Sequence, residues 1–186
     1  MFFLIFIFLY IFMPGLKSLN ETGTVHQDLK PENILVRDGK DRPVAFLGDV
    51  GVAKQFSNQQ SLKKFQNLTS QVGTEEWMAP EMRYPDLIKL GKDKEAKKID
   101  YRKLDVFSLG LISLFCLDSV DNFYKYNRHL NENSNTLHEV YLPQLKSKMP
   151  IEFYCLLKSM LSFDWNARPS IEELSDFATV FLVKSQ

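Results

Sequence analysis

The 186 residues of the chain carry 23 basic and 23 acidic side chains, and 45% of the residues are hydrophobic. This length and composition are sufficient for one domain with a hydrophobic core. Because the formal net charge is zero, nothing in the composition calls for a nucleic acid or an anionic membrane as a partner. Cys116 and Cys155 stand among apolar residues, so we expect small core side chains in a reducing compartment rather than a disulfide.

The first thirteen residues, MFFLIFIFLYIFM, form the most apolar stretch of the sequence. They are fewer than the roughly 20 residues that a membrane-spanning helix needs, and they lack the basic beginning and clear cleavage site of a signal peptide. Two interpretations stay open: a buried helix, whole or the end of a longer one, and a membrane or signal segment. Pro14-Gly15 is predicted to interrupt any helix here, so residues 1–15 are treated as a separate apolar segment.

The segment HQDLKPENIL, residues 26–35, concentrates polar side chains and then becomes apolar. Residues 34–36 and 44–47 have the pattern of short strands with an Asp-Gly turn between them, which predicts an antiparallel hairpin. The hairpin would bring Asn33, before the first strand, beside Asp49, after the second. Two oxygen-bearing side chains at one end of a hairpin suit a hard cation such as Mg²⁺.

Most of the remaining chain is predicted to be helical. Residues 51–71 are polar and without regular period, which predicts a mobile loop. Residues 89–103 are rich in charge and indicate a solvated surface excursion rather than a docking patch. Residues 104–117 are apolar on nearly every side and predict a buried central helix. Further helices are predicted at residues 137–145, at 151–163, and from Ser170, which forms a capping box with Glu173.

Five motifs, in order, resemble those of protein kinases. HQDLKPENIL resembles the catalytic loop H-R-D-L-x-x-x-N, Asp49-Val50-Gly51 stands where the family has D-F-G, and Ala79-Pro80-Glu81 matches A-P-E. DVFSLG, from Asp105, resembles the buried-helix motif D-V-W-S-L-G. The run W-N-A-R-P-S at residues 165–170 resembles the segment whose arginine pairs with the A-P-E glutamate. Because all five occur at plausible distances, the resemblance is specific, and it covers the chain from about residue 16 to its end.

The resemblance implies a serine/threonine protein kinase that transfers the γ-phosphoryl group of ATP to hydroxyl groups of a protein substrate, with Mg²⁺. It implies that Asp28 accepts the proton of the substrate hydroxyl and that Lys30 steadies the transferred phosphoryl group. Asn33 and Asp49 are the expected magnesium ligands. Nucleotide binding is expected of Lys30, Glu32, Asn33 and Asp49 together.

Other residues are expected to support the site. By the same resemblance, His26 packs and hydrogen-bonds within the catalytic loop, and Thr74 fits the serine/threonine acceptor signature. Asp105 is expected to be buried and to bind the backbone of the catalytic loop. Glu81 and Arg168 are expected to form a buried ion pair.

The fold implied by the resemblance is mainly α (α+β overall). Residues 16–186 are expected to form the large, C-terminal lobe of a kinase, with a short antiparallel β-hairpin at the catalytic loop. The sequence contains no G-x-G-x-x-G and no upstream strand with the family's lysine. The N-terminal small lobe that covers ATP is therefore expected to be missing, as in a truncated gene product or an incomplete gene model. Two further departures are Gln27, in place of the arginine of H-R-D, and Val50, in place of the phenylalanine of D-F-G.

Three functional interpretations stay open: a serine/threonine kinase whose small lobe is absent from this sequence, a catalytically inactive kinase-like binding module, and a nonfunctional fragment. Retention of Asp28, Lys30, Asn33 and Asp49 favours the first. The expected partners are ATP and a protein substrate, with no nucleic acid. The expected location is the cytoplasm, and residues 1–13 are the only part of the chain for which membrane association is considered.

Overall fold

The structure is a computed structural model that describes residues 2–40, 43–56, 60–61, 73–83, 98–117, 123–124 and 137–184. The α-helices within these ranges are α1 (Phe2–Glu21), α2 (Pro80–Arg83), α3 (Arg102–Leu117), α4 (Leu142–Leu145), α5 (Ile151–Met160) and α6 (Ile171–Lys184). The strands are β1 (Thr24–Val25), β2 (Ile34–Arg37), β3 (Val44–Leu47), β4 (Lys54–Gln55), β5 (Gln60–Ser61) and β6 (Lys98–Ile99). Helices predominate, as expected of the fold class.

The central helix α3 lies inside the domain, as its apolar sequence predicts. Its buried side chains occur on every side of the helix, and they include Leu104, Val106, Phe107, Leu109, Leu111 and Leu114. Helix α5 packs against α3. Gly110 permits a close approach at this contact, because a Cβ atom there would lie 2.9 Å from Cδ2 of Leu161, just after α5. The centre of the domain is therefore built from two crossing apolar helices.

Helix α1 continues through Pro14 to Glu21, so the predicted interruption at Pro14-Gly15 is wrong. Pro14 is exposed, whereas one face of the helix is buried at Leu9, Phe12, Met13 and Leu16. This face packs against α6 and β3. Burying a large apolar side chain contributes roughly 1.5–3 kcal/mol, so four of them outweigh the cost of about 3 kcal/mol for an interior proline. For residues 9–16, the structure agrees with the buried-helix interpretation.

Over the residues whose side chains the structure describes, no helix combines the length and the apolar character needed to cross a membrane.

The strands form three antiparallel pairs: β1 with β4, β2 with β3, and β5 with β6. The β2–β3 pair is the predicted hairpin, with Ile34 opposite Leu47 and Arg37 opposite Val44. The β1–β4 pair joins the residues before the catalytic loop to those after Asp49. The predicted mobile loop at 51–71 thus begins with a 3-10 helix, Val50–Val52, and strand β4. Most of that predicted loop, and residues 89–97 of the second polar stretch, lie outside the described residues.

Two predictions about helical residues need correction: the burial of the two cysteines and the end of α5. Cys116 and Cys155 are exposed, so their assignment to the core is wrong. Apolar neighbours in sequence do not fix the burial of a helical residue, because successive residues point about 100° apart around the helix.

Helix α5 ends at Met160, three residues earlier than predicted. The predicted helix at 137–145 is present as a π-helix, Leu137–Tyr141, followed by α4.

Candidate active site

The carboxylate of Asp28 lies at the centre of a network of hydrogen bonds. The backbone N–H of Thr74 donates to Asp28 Oδ1 at 2.7 Å, and Lys30 Nζ lies 2.9 Å from Oδ2. Lys30 Nζ also donates to Thr74 Oγ1 at 2.7 Å, across 44 positions of sequence. Burial acts to raise the pKa of Asp28, but the hydrogen bonds from Lys30 and Thr74 outweigh it, so the pKa lies below its usual value. Asp28 is therefore ionised at neutral pH.

Asn33 is held by the same carboxylate. Its Nδ2 atom donates to the backbone carbonyl of Asp28 at 2.9 Å and to Oδ2 at 3.2 Å. At the adjacent end of the hairpin, Gly48 N donates to Asn33 O at 2.8 Å. Asp49 comes next in left-handed backbone conformation, with a φ of 51°, and its carboxylate accepts from Gly51 N at 3.3 Å. The hairpin thus brings the backbone of Asn33 to Gly48, the residue before Asp49. The convergence of the Asn33 and Asp49 side chains stays a prediction.

The first turn of α3 holds the catalytic loop by its backbone. The buried carboxylate of Asp105 accepts from His26 N at 2.8 Å and from Gln27 N at 3.1 Å. Gln27 has a φ of 68°, an unfavourable value for a non-glycine residue, so these bonds stabilise a strained loop. Burial raises the pKa of Asp105 to about 6, although the two N–H groups act against this shift. The predicted contact between Asp105 and the loop backbone is confirmed.

His26 joins the catalytic loop to the end of β3. Its ring is fully buried, and Nε2 donates to the carbonyl of Gly48 at 3.0 Å. The predicted packing of His26 is therefore present. Glu32, in contrast, is exposed in the 3-10 helix Pro31–Asn33, and the structure does not bring it into the Asp28 network. Its part in nucleotide binding stays a prediction.

The predicted ion pair between Glu81 and Arg168 is confirmed. Arg168 Nη1 and Nη2 donate to Glu81 Oε1 and Oε2 at 2.6 and 2.7 Å, and the two side chains are 0% and 1% exposed. The remaining contacts of the guanidinium were not predicted. Nε donates to Ser162 O at 2.7 Å, Nη1 donates to Lys103 O at 3.0 Å, and the group lies over the ring of Phe107. These contacts satisfy the charge inside the protein.

Residues 6–178 of the chain match the family model of the protein kinase domain. The chain belongs to the protein kinase family. It is 33% identical over 170 residues to serine/threonine-protein kinase ELM1 of Saccharomyces cerevisiae, covering 86% of this chain and 24% of the relative. It is 28% identical over 160 residues to serine/threonine-protein kinase/endoribonuclease IRE1b of Arabidopsis thaliana, covering 86% and 16%. It is 29% identical over 171 residues to the light-sensor protein kinase of Ceratodon purpureus, covering 83% and 12%. The chain thus spans a quarter or less of each of these curated relatives.

Asn33 and Asp49 carry oxygen atoms of the kind that Mg²⁺ prefers. Because Nδ2 of Asn33 donates to Asp28, Oδ1 is the atom of Asn33 that a cation would use, and the side chain of Asp49 is exposed. Among the described residues, no group of three or more His, Cys, Asp and Glu side chains is arranged to hold a metal. Mg²⁺ in phosphoryl-transfer sites is typically bound by one or two carboxylates and by phosphate oxygens, so a site of this size is adequate.

Gln27 is one of the substitutions within the kinase motifs, and the structure shows a consequence of it that the sequence did not. Within the described part of the chain, both polar atoms of the Gln27 amide are buried without a hydrogen-bond partner, as is His26 Nδ1. A buried polar group left unpaired costs about 1–3 kcal/mol. The replacement of arginine by glutamine in the motif was the only signal in the sequence at this position. Gln27 is therefore both strained in its backbone and unsatisfied in its side chain.

Proposed function

We propose that the protein transfers the γ-phosphoryl group of ATP to serine or threonine hydroxyl groups of a protein substrate. The observation that carries this proposal is the single network in which Asp28, Lys30, Asn33 and Thr74 meet. Phosphoryl transfer requires positioning and charge stabilisation more than covalent chemistry from the protein. A carboxylate, an ammonium group and a carboxamide fixed around one point supply both.

Asp28 is proposed to orient the substrate hydroxyl and accept its proton. The carboxylate is ionised, and its orientation is fixed by the N–H of Thr74 on Oδ1. Lys30 places a positive charge beside it, 2.9 Å from Oδ2. An ammonium group in this position would stabilise the negative charge of the phosphoryl group during transfer. Thr74, which receives a hydrogen bond from Lys30 through Oγ1, would keep that ammonium group in place.

Asn33 and Asp49 are proposed to hold Mg²⁺. When bound, the ion neutralises charge on the nucleotide phosphates. The chain contributes the geometry of the two ligands: the hydrogen bonds to Asp28 orient Asn33, and the backbone at Asp49 turns sharply beside it. Lys30 and Glu32 are proposed to assist nucleotide binding.

We assign residues 16–186 to the large lobe of the kinase fold. The sequence contains no G-x-G-x-x-G, the loop that covers the nucleotide phosphates in kinases. The described site therefore supplies the base and the metal ligands, and efficient transfer needs a nucleotide-covering lobe in addition. Because the reaction consumes ATP, we propose a cytoplasmic location.

The test uses a two-lobe protein, in which a kinase small lobe precedes residue 1. Phosphate transfer to a serine- and threonine-containing protein is measured with Mg-ATP. Asp28→Asn is expected to lower the rate about a hundredfold or more, while Asp176→Asn, at an exposed position on α6, leaves it unchanged. Equal rates for Asp28→Asn and the unmodified protein would contradict the proposal. Tight Mg-ATP binding without transfer would favour the inactive binding module instead.

A further inference from the structure

A small cavity outside the Asp28 network lies where the end of α1 meets the beginnings of α3 and α6. Its volume is about 150 Å³, and the described residues that line it are Asn20, Asp100, Arg102, Lys103, Ser170, Ile171 and Glu172. A water molecule occupies about 30 Å³ in the liquid, so the cavity can hold a small ion with some of its hydration. The proposed kinase reaction uses none of these residues.

Asn20 provides the first sign of a ligand. Its side chain lines the cavity and the residue is only 9% exposed, yet its carboxamide makes no hydrogen bond within the described part of the chain. Only its backbone carbonyl is used, by Gly23 N at 2.9 Å. Among the described side chains, neither amide atom of Asn20 is both sealed from solvent and unpaired, so the carboxamide is open to the cavity. A bound ligand with a hydrogen-bond acceptor would satisfy its NH₂ group.

The beginning of α6 provides a second set of donors. In the capping box, Ser170 Oγ accepts from Glu173 N at 3.1 Å and Glu173 Oε2 accepts from Ser170 N at 2.6 Å. The N–H groups of Ile171 and Glu172, in the first turn, have no acceptor within the helix. Both residues line the cavity. The partial positive charge at the start of this 14-residue helix therefore faces the same space.

Two basic side chains, those of Arg102 and Lys103, complete the lining of the cavity. The acidic side chains nearby are largely hydrogen-bonded or exposed. Arg102 donates from Nε and Nη2 to Asp100 at 2.8 and 2.9 Å, which leaves Nη1 outside this fork. Lys103 Nζ donates to Arg168 O at 2.7 Å and has two further protons. Burial lowers the pKa of Lys103, so an anion beside it would favour its charged form. Of the acids at the rim, Asp100 accepts from Arg102, and Glu172 is exposed. The donors that remain for a ligand are Nη1 of Arg102 and two protons of Lys103, and the negative charge of Glu172 at the rim acts against an anion.

We propose that this cavity binds a small oxyanion, held by the carboxamide of Asn20, the first-turn N–H groups of α6, and the side chains of Arg102 and Lys103. The binding would satisfy the unpaired amide and place negative charge at a helix N-terminus. It would also stabilise the fold in proportion to occupancy, because an unfolded chain lacks the site. Lys103 connects the site to the carbonyl of Arg168 and hence to the Glu81–Arg168 pair.

The test is an NMR titration of the 186-residue chain with inorganic phosphate. Saturable shifts are expected for the side-chain amide of Asn20 and the backbone amides of Ile171 and Glu172. A parallel titration with acetate distinguishes a planar carboxylate from a tetrahedral phosphate, and chloride at equal ionic strength controls for screening. Saturation by phosphate or by acetate, but not by chloride, supports the proposal. Equal shifts with chloride, or none with any anion, would overturn it.

Variants then assign the binding to the cavity. Asn20→Asp keeps the size of the side chain and adds a negative charge, so phosphate should bind at least tenfold more weakly. The matched control is Gln144→Glu, the same chemical change at an exposed position of α4, which should leave the affinity unchanged. Asn20→Leu removes the amide without adding charge and serves if the first variant does not fold. Unchanged affinity in a folded Asn20 variant would place the anion elsewhere and disprove the proposal.

Discussion

Arg168 and Glu81, 87 positions apart in sequence, form a two-pronged ion pair in which both side chains are almost completely inaccessible to solvent. Each nitrogen of the guanidinium has an acceptor, since Ser162 O and Lys103 O accept the hydrogen bonds that the carboxylate does not occupy. The pair joins α2, which begins directly after the alanine of the A-P-E motif, to the segment that precedes α6.

Arg168→Ala is expected to lower the free energy of unfolding by roughly 3–5 kcal/mol, because it leaves the buried carboxylate of Glu81 without a partner. Denaturant titration of both proteins measures the loss. Arg37→Ala is the control: Arg37 lies over the ring of Phe46 on the exposed hairpin, and its loss should cost at most about 1 kcal/mol. Similar losses for the two variants would contradict this prediction.

The stability contributed by Asp105 is expected to depend on pH. Its folded-state pKa of about 6 lies above the usual 3.8, so the folded protein binds a proton more strongly than the unfolded chain does. The stability that Asp105 contributes is therefore fully present below pH 4, and it falls as the pH rises to about 6. The measurement compares the unfolding free energies of the protein and of Asp105→Asn from pH 4 to pH 8. A difference that is constant over this range would show that Asp105 has an ordinary pKa.

Asp105→Asn should also slow catalysis by the two-lobe protein at neutral pH. The carboxylate accepts two N–H groups with two oxygens, whereas an amide offers only one oxygen to His26 N and Gln27 N. The loop that carries Asp28 would lose one of its two bonds to α3, and we expect at least a tenfold fall in kcat. If kcat is unchanged while stability falls, Asp105 supports the fold and not the position of the loop.

The 186-residue chain by itself is expected to phosphorylate protein very slowly. Removal of one preorganised donor typically costs about 3–4 kcal/mol of transition-state stabilisation, and the sequence offers neither the glycine-rich backbone nor the strand lysine that contact the nucleotide in kinases. Radioactive phosphate transfer by the purified chain measures the rate, with Asp28→Asn as the background. Rapid transfer that Asp28→Asn abolishes would refute this expectation.

Catalysis by the two-lobe protein is expected not to depend on phosphorylation of the segment between Asp49 and Glu81. A charge-assisted, two-pronged contact with phosphate requires a guanidinium group, and Gln27 offers only a neutral, buried amide. Phosphatase treatment, and alanine at four of the segment's five hydroxyl residues, Ser57, Ser61, Thr69 and Ser70, should change the rate less than tenfold. All but Ser61 of these residues lie outside the described part of the chain.

A companion variant, Gln27→Arg, supplies the missing guanidinium. The rate of phosphate transfer by this variant should therefore fall after phosphatase treatment. A tenfold or greater fall in the unmodified protein would correspond to about 1.4 kcal/mol of barrier. It would mean that a lysine such as Lys54, Lys63 or Lys64 binds the phosphate in place of the arginine.

Features set by local sequence could be predicted from the residues themselves, whereas the confirmed long-range contacts, Glu81 with Arg168 and Asp105 with the loop, were expected only from the family resemblance. The β2–β3 hairpin and the capping box of Ser170 and Glu173 follow from residues close to one another. The continuation of α1 through Pro14 does not, because its stability comes from packing against α6, more than 150 residues later. Local rules assign a break to any proline, and tertiary contacts override them here.

The candidate site shows the same division. The family motifs predicted the contact of Asp105 with the loop, which is confirmed. The catalytic roles that the motifs imply for Asp28, Lys30, Asn33 and Asp49 stay predictions. They did not predict that Lys30 would bind both Asp28 and Thr74, or that the amide of Gln27 would be buried with no partner among the described residues. The contact between Lys30 and Thr74 joins segments 44 positions apart, and the order of the motifs does not specify how these segments are placed side by side.

The pairing of β1 with β4 closes a loop of chain that contains Asp28, Lys30, Asn33 and Asp49. Val25 lies opposite Lys54 at its base, and the hairpin turn lies at the far end, beyond the Arg37–Val44 pair. A loop closed in this way tolerates added length at its tip, since each doubling of a flexible connection costs only about 0.6 kcal/mol. A short glycine-serine insertion after Gly39 should therefore leave ATP turnover by the two-lobe protein intact, whereas the same insertion between β1 and Asp28 should abolish it.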